Sequence, residues 1–364
     1  EAFDDAKGSE AVNRPMHLDD AWLAHHTTVA MEGMGAVEIV LGYGDTPSYG
    51  FYNGGLTLLR TRDDEVLGDY ARRLGHLSFK VRSDHLEHTL TRDNVRRDQA
   101  WRRTLDAAAR AHLQLREALL EHLASEAAGT GPLGSAHERL ADELTIDPGF
   151  LPRVAAASVL RDAAGAPCSP EDVLARREAV VAPLGHPLVD AVHARGERVV
   201  EDGPATRRLL ERLLEARTYT ASALAHIAGT TATPHVRPVE AVWVRADVVD
   251  PSRLPALERR LLERAQALVS VASTPTLGGL PFVGDVALAG TDEARVQLHL
   301  ARFVQETDRR LRPLCVVGPA DGSLFRRPEP SRGSTRRRSI LIDAAHPTWA
   351  LHRASAHQDL ELAA

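Results

Sequence analysis

Asn53–Leu105, NGGLTLLRTRDDEVLGDYARRLGHLSFKVRSDHLEHTLTRDNVRRDQAWRRTL, decides the fold. Leu56 to Arg60 reads as a strand. Asp63 and Asp64 open a helix whose apolar positions Val66, Leu67, Tyr70, Ala71 and Leu74 keep a 3–4 spacing. Acids suit that end because the helix N-terminus carries partial positive charge. Leu77, Phe79 and Val81 then predict a strand with Ser78, Lys80 and Arg82 facing outward. A polar loop follows. From about Arg97 a long helix runs to Ala127, with Trp101, Leu105, Ala108, His112, Leu115, Leu119 and Leu123 on one stripe.

Upstream, AVEIVLGY (36–43) alternates, with Val37, Ile39, Leu41 and Tyr43 on one face of a further strand. Asp45 to Asn53 reads as a loop. Residues 1–127 thus form one α/β domain. The stretch AGTGPLGSA (128–136) opens a linker and charged helical connector that extends to 182. Residues 183–364 form a second α/β region with a terminal helix. Its expected strands are Arg198–Val200, Val239–Val249, Gly284–Ala289, Leu314–Val317 and Ser339–Ile342. Its expected helices are 187–194, 204–216, 254–269, 292–311 and the segment after Pro347. Alternating strands and helices predict layered mixed sheets of the α/β class.

Composition excludes several functions. The net charge is −6, against the basic balance of a nucleic-acid-coating protein. The run from Arg326 to Arg338 reads as a solvated basic loop, and nucleic acid is not an expected partner. Two cysteines, Cys168 and Cys315, exclude a disulfide scaffold and fit a reducing, cytoplasmic setting. No apolar run approaches the ~20 residues that a membrane helix needs. There is no G-x-S-x-G and no P-loop; Gly42-x-Gly44 and Gly278-Gly279 read as turns. The chain starts without Met and stops inside a helical pattern, which suggests a piece of a longer protein.

Residues 1–127 resemble the middle segment of the ninety-kilodalton heat-shock chaperones, in a divergent, bacterial-type form with part of the C-terminal region following. The likeness begins at Val29-Ala30-Met31-Glu32-Gly33. It continues through Gly54 to Val95 with the family's strand, acid-started helix, strand and loop. That loop ends in Ser-Arg-Glu in the family and in Thr91-Arg92-Asp93 here. The resemblance implies an ATP-driven, dimeric chaperone of the gyrase–kinase–MutL superfamily. In it Arg92 would reach the γ-phosphate of ATP, bound with magnesium in a preceding N-terminal ATPase domain. Asn94 and Arg96 are supporting nucleotide contacts. The family's glutamine four residues after the arginine is replaced by Arg96, and the connection before Leu56 is TPSYGFYNGG. No stretch carries the acid-containing helix and glycine-rich lid of the ATPase domain. Hydrolysis is therefore expected only in the intact protein, and this chain is not expected to hold ATP by itself.

An arginine fork suits phosphate oxygens and neutralises charge that develops during transfer. The bland alternative is a solvated loop arginine. Trp22, Tyr43, Tyr49, Phe51 and Tyr52 form a candidate surface for protein clients, or else ordinary packing over the first strand. Two other readings stay open. One is a non-enzymatic interaction scaffold of the same fold. The other is a metal-dependent hydrolase using Asp84, His85, Glu87 and His88 with His17, His25, His26 and His76. Against it, HLEH is spaced i, i+3, lies in a loop, and no HExxH occurs.

Overall fold

The computed structural model describes residues 16–33, 35–90, 94–174, 178–225, 235–271, 297–303, 315–318, 323–326 and 339–362. It is a mixed α/β structure that divides into two units. The first comprises residues up to 160, 167–171 and 203–232; the second comprises 161–166, 172–202 and 233–364.

The first unit is built on a five-stranded sheet: β1 (Ala21–Met31), β2 (Gly35–Gly44), β3 (Tyr49–Asn53), β4 (Leu56–Thr61) and β5 (Ser78–Arg82). The spatial order is β1-β2-β5-β3-β4, with β3 and β5 parallel and the other neighbours antiparallel. The helix α1 (Gln99–Ala128) contacts β1 and β2, and every apolar position of its expected stripe is buried. Trp101 meets Phe51 at a ring separation of 4.2 Å, and Phe51 meets Phe79 edge-on at 5.7 Å. Two further helices, α2 (Ser135–Ile146) and α3 (Pro204–Ala225), pack on each other in the same unit.

Five local readings change. Tyr49–Asn53 is a strand rather than loop, because pairing with β4 and β5 outweighs its turn-like composition. β1 is a strand that was not among those expected. Ser78 and Lys80 are buried, not outward: successive residues of β5 are buried, so both faces of this central strand are covered. Ser78 Oγ accepts the Ser48 N–H and donates to the Thr46 carbonyl. The acid-started helix is a 3₁₀ segment, Asp64–Tyr70, followed by the single α-turn Ala71–Leu74; Gly68 breaks it with φ +55°. Asp63 caps it by accepting the Glu65 N–H at 3.0 Å. Gly42 and Gly44 lie in β2, not in a turn. A Cβ on Gly42 would stand 2.5 Å from the Leu23 carbonyl oxygen, so glycine there lets β1 approach.

The second unit holds a parallel three-stranded sheet of β6 (Glu178–Ala182), β7 (Val200–Glu201) and β8 (His235–Pro238), in the order β8-β6-β7. A four-stranded mixed sheet follows, of β9 (Ala246–Val248), β10 (Gln297–Phe303), β11 (Cys315–Gly318) and β12 (Ser339–Asp343), in the order β9-β10-β12-β11. α4 (Ala256–Val271) and α5 (Pro347–Leu362) pack on each other, and α4 also packs on β10. Three readings are corrected here. β6 lies in the stretch read as helical. The described part of 292–311 is β10, a strand paired on both sides. Val239–Val249 is not one strand: Val239–Val242 forms a helical turn that buries Val239, Val242 and Trp243 in one cluster, followed by short strands. The expected strand Gly284–Ala289 lies outside the described residues. Among the described residues, no helix is long and apolar enough to cross a membrane.

Candidate functional site

The loop between β5 and α1 is clasped at its stem. The Thr89 N–H donates to the Asn94 carbonyl at 2.9 Å, and the Arg96 N–H to the Glu87 carbonyl at 2.8 Å. His88 and Val95 form an antiparallel bridge. Leu86 and Val95 anchor the stem in the core, while Leu90 is fully exposed. Asn53 Nδ2 ties the loop's first turn to β3 by donating to the carbonyls of Asp84 and Leu86. Asp98 ends the stem and caps α1 by accepting the Trp101 N–H at 3.1 Å.

Arg92, with Thr91 and Asp93, lies outside the described residues. Asn94 and Arg96 are within the stem. Asn94 Oδ1 accepts the Val95 N–H at 2.8 Å. The Arg96 guanidinium donates to Glu87 at 2.9 Å and lies 3.6 Å from the Asp98 carboxylate. Both side chains thus have partners inside the loop. No protein-family model matches this chain, and no curated protein matches it significantly.

The aromatic client surface is not built. Tyr43, Tyr49, Phe51 and Tyr52 are buried in the sheet's core, and only Trp22 is part-exposed, stacked on Tyr43. Pairing β3 into the sheet turned Tyr49, Phe51 and Tyr52 inward, and Tyr43 is buried within β2. The histidines near the loop also separate. His17 meets Asp19, His25 meets Gln114, and His26 meets Glu38. Among the described residues, Asp84 to His88 form no group of three metal donors. Burial pushes the Cys315 thiol up to about 11, which disfavours the thiolate that a nucleophile needs.

A second constellation lies beneath α1 and α2. Glu143, fully buried on α2, accepts four donors. Tyr43 Oη (2.9 Å), His76 Nε2 (2.6 Å) and His112 Nε2 (2.9 Å) converge on Oε1, and Arg116 Nε reaches Oε2 at 2.6 Å. Arg116 also donates to Asp147 at 2.7 Å, and its guanidinium lies 5.1 Å from the centre of the Phe150 ring. Of these groups only His76 and Asp147 reach solvent through their side chains to any extent, 16% and 48%. His76 was singled out in the sequence for a metal and His112 as a stripe position; Arg116 and Glu143 were not. The signal was there: Arg116 continues the α1 stripe four residues after His112, and Glu143 falls between Leu140 and Leu144 on the buried face of α2.

Burial opposes charge on Glu143, but the hydrogen bonds from His112 and His76 outweigh it and hold its pKa far below 4.5. Arg116 holds Asp147 below its usual 3.8. His112 is lowered from 6.5, chiefly by burial. These shifts set a pH dependence for the metal-free protein. A histidine lowered in the fold is protonated first in the unfolded chain, so its contribution is present above 6.5 and lost as pH falls below that value. The depressed carboxylate of Glu143 contributes above 4.5 and is lost below it. Urea midpoints in EDTA should therefore decline from about pH 7 to about pH 5 and drop further below about pH 4.5. His112→Gln should flatten the first decline.

Proposed function

We propose that this chain supplies the middle-type domain of an ATP-driven chaperone, in which Arg92 completes a γ-phosphate site held by a preceding nucleotide-binding domain. The observation that carries this reading is the clasped stem. Its base is fixed to the core by Leu86 and Val95, it leads directly into the Asp98-capped α1, and its sequence puts one arginine between Leu90 and Asn94. Positioning of this kind favours catalysis because an arginine delivered to a phosphoryl group acts by placement and charge. The strand, acid-capped turn, strand, loop and long-helix order of β4 to α1 supports it.

In this reading ATP and its magnesium are held by the preceding domain, where the bound ion would neutralise phosphate charge. This chain's part is to hold Arg92. Glu87 and Asp98 hold Arg96 in the stem, which leaves the phosphate contact to Arg92. Protein clients, a cytoplasmic setting and homodimer formation belong to the same reading. The pairing of Arg96 also favours a second reading, a binding scaffold of the same fold that has lost its ATPase link.

Amide hydrogen exchange separates the two. In the intact protein, a non-hydrolysable ATP analogue with magnesium should slow exchange over residues 87–96, and ADP should not. Equal exchange in both states would favour the scaffold.

A further inference from the structure

We propose that His76, His112 and Glu143 form a binding site for one divalent transition-metal ion of the zinc class. This stands independently of the chaperone reading. His76 comes from the turn before β5, His112 from the middle of α1 and Glu143 from α2, and their donor atoms all lie within 4.8 Å of one another. Two imidazoles and a carboxylate are a known zinc donor set, and three protein ligands leave a fourth position for water.

The surroundings fit an ion. The Glu143 carboxylate is oriented by Arg116 on Oε2 and by the Tyr43 hydroxyl on Oε1, as ligating carboxylates commonly are. Glu143 and Asp147 carry two negative charges against the one positive charge of Arg116, so the hydrogen-bonded cluster is one charge short of neutral when both imidazoles are neutral. His76 provides the way in, since its side chain is 16% exposed.

Coordination asks for small adjustments. Bonds of about 2.0 Å to a tetrahedral ion place donors about 3.3 Å apart. Oε1 now stands 2.6 Å from His76 Nε2 and 2.9 Å from His112 Nε2. Each imidazole must withdraw by roughly half an ångström and move its proton from Nε2 to Nδ1. Both Nδ1 atoms are buried and, among the described residues, have no hydrogen-bond partner. The imidazoles therefore lack the outer support that tightens many sites, and affinity should fall about 10- to 100-fold short of a fully supported one.

The test is titration of the full chain, stripped with EDTA, with Zn²⁺ by calorimetry and with Co²⁺ by visible absorption. The site predicts one ion per chain, a four-coordinate Co²⁺ spectrum and a rise in melting temperature with Zn²⁺. His76→Ala, chosen because His76 is the most accessible ligand, should weaken binding at least about tenfold and abolish the rise. His26→Ala, which alters a histidine outside the group, should change neither. If His76→Ala fails to fold, judged by circular dichroism, His76→Asn replaces it. Absence of stoichiometric binding in the wild type, or binding that survives loss of His76, overturns the proposal.

Discussion

Replacing Glu143 by alanine is expected to destabilise the first unit by about 3–5 kcal/mol, the usual result of breaking a buried ion pair from one side. The substitution removes the common acceptor of Tyr43, His76, His112 and Arg116. It leaves Arg116, 1% exposed, with Asp147 as its remaining carboxylate. A single buried donor left unmatched costs about 1–3 kcal/mol, so four losing their partner together should exceed that range. Glu143→Gln keeps the shape and an acceptor oxygen but loses the charge, and should fall between alanine and wild type. Asp147→Ala removes the half-exposed partner and should cost only about 1 kcal/mol. Urea denaturation of the metal-free protein measures all three. A Glu143→Ala loss under about 1 kcal/mol would show that the network is not what holds α1 and α2 to the sheet.

How far the sequence revealed this structure depends on where the deciding physics lies. The stripe of α1 was legible because a long amphipathic helix repeats its signal over many turns, and each expected apolar position is buried. The α/β class was legible for the same reason. β3 was not, because glycine and tyrosine in YGFYN match turn composition and only pairing with β4 and β5 makes the segment a strand. That one misreading exposed three aromatics, Tyr49, Phe51 and Tyr52, that the fold buries. β10 was missed because LHLARF suits a helix until strands flank it on both sides. The polar cluster was half legible. His112 was already on a buried stripe, but its partner Glu143 is 31 residues away on another helix. Only the packing of α1 against α2 brings them together, and no local spacing encodes that. The stem of the 87–96 loop was legible as a loop before a helix; its clasp, through main-chain pairing, was not.

Replacing Arg92 by alanine is expected to lower ATP turnover of the intact protein at least about tenfold, since a preorganised group facing developing phosphoryl charge contributes several kcal/mol. The loss should appear in kcat with little change in KM, because the interaction strengthens only as charge develops. Arg92→Lys should recover little, as a point charge lacks the guanidinium's fork. Arg96→Ala should leave turnover near wild type, since that guanidinium is held by Glu87 and Asp98. The deciding measurement is steady-state ATP turnover of the intact protein, wild type beside Arg92→Ala and Arg96→Ala. A tenfold or greater fall confined to Arg92→Ala is the result this account predicts. Turnover unchanged by Arg92→Ala would contradict it and return that arginine to the solvated surface.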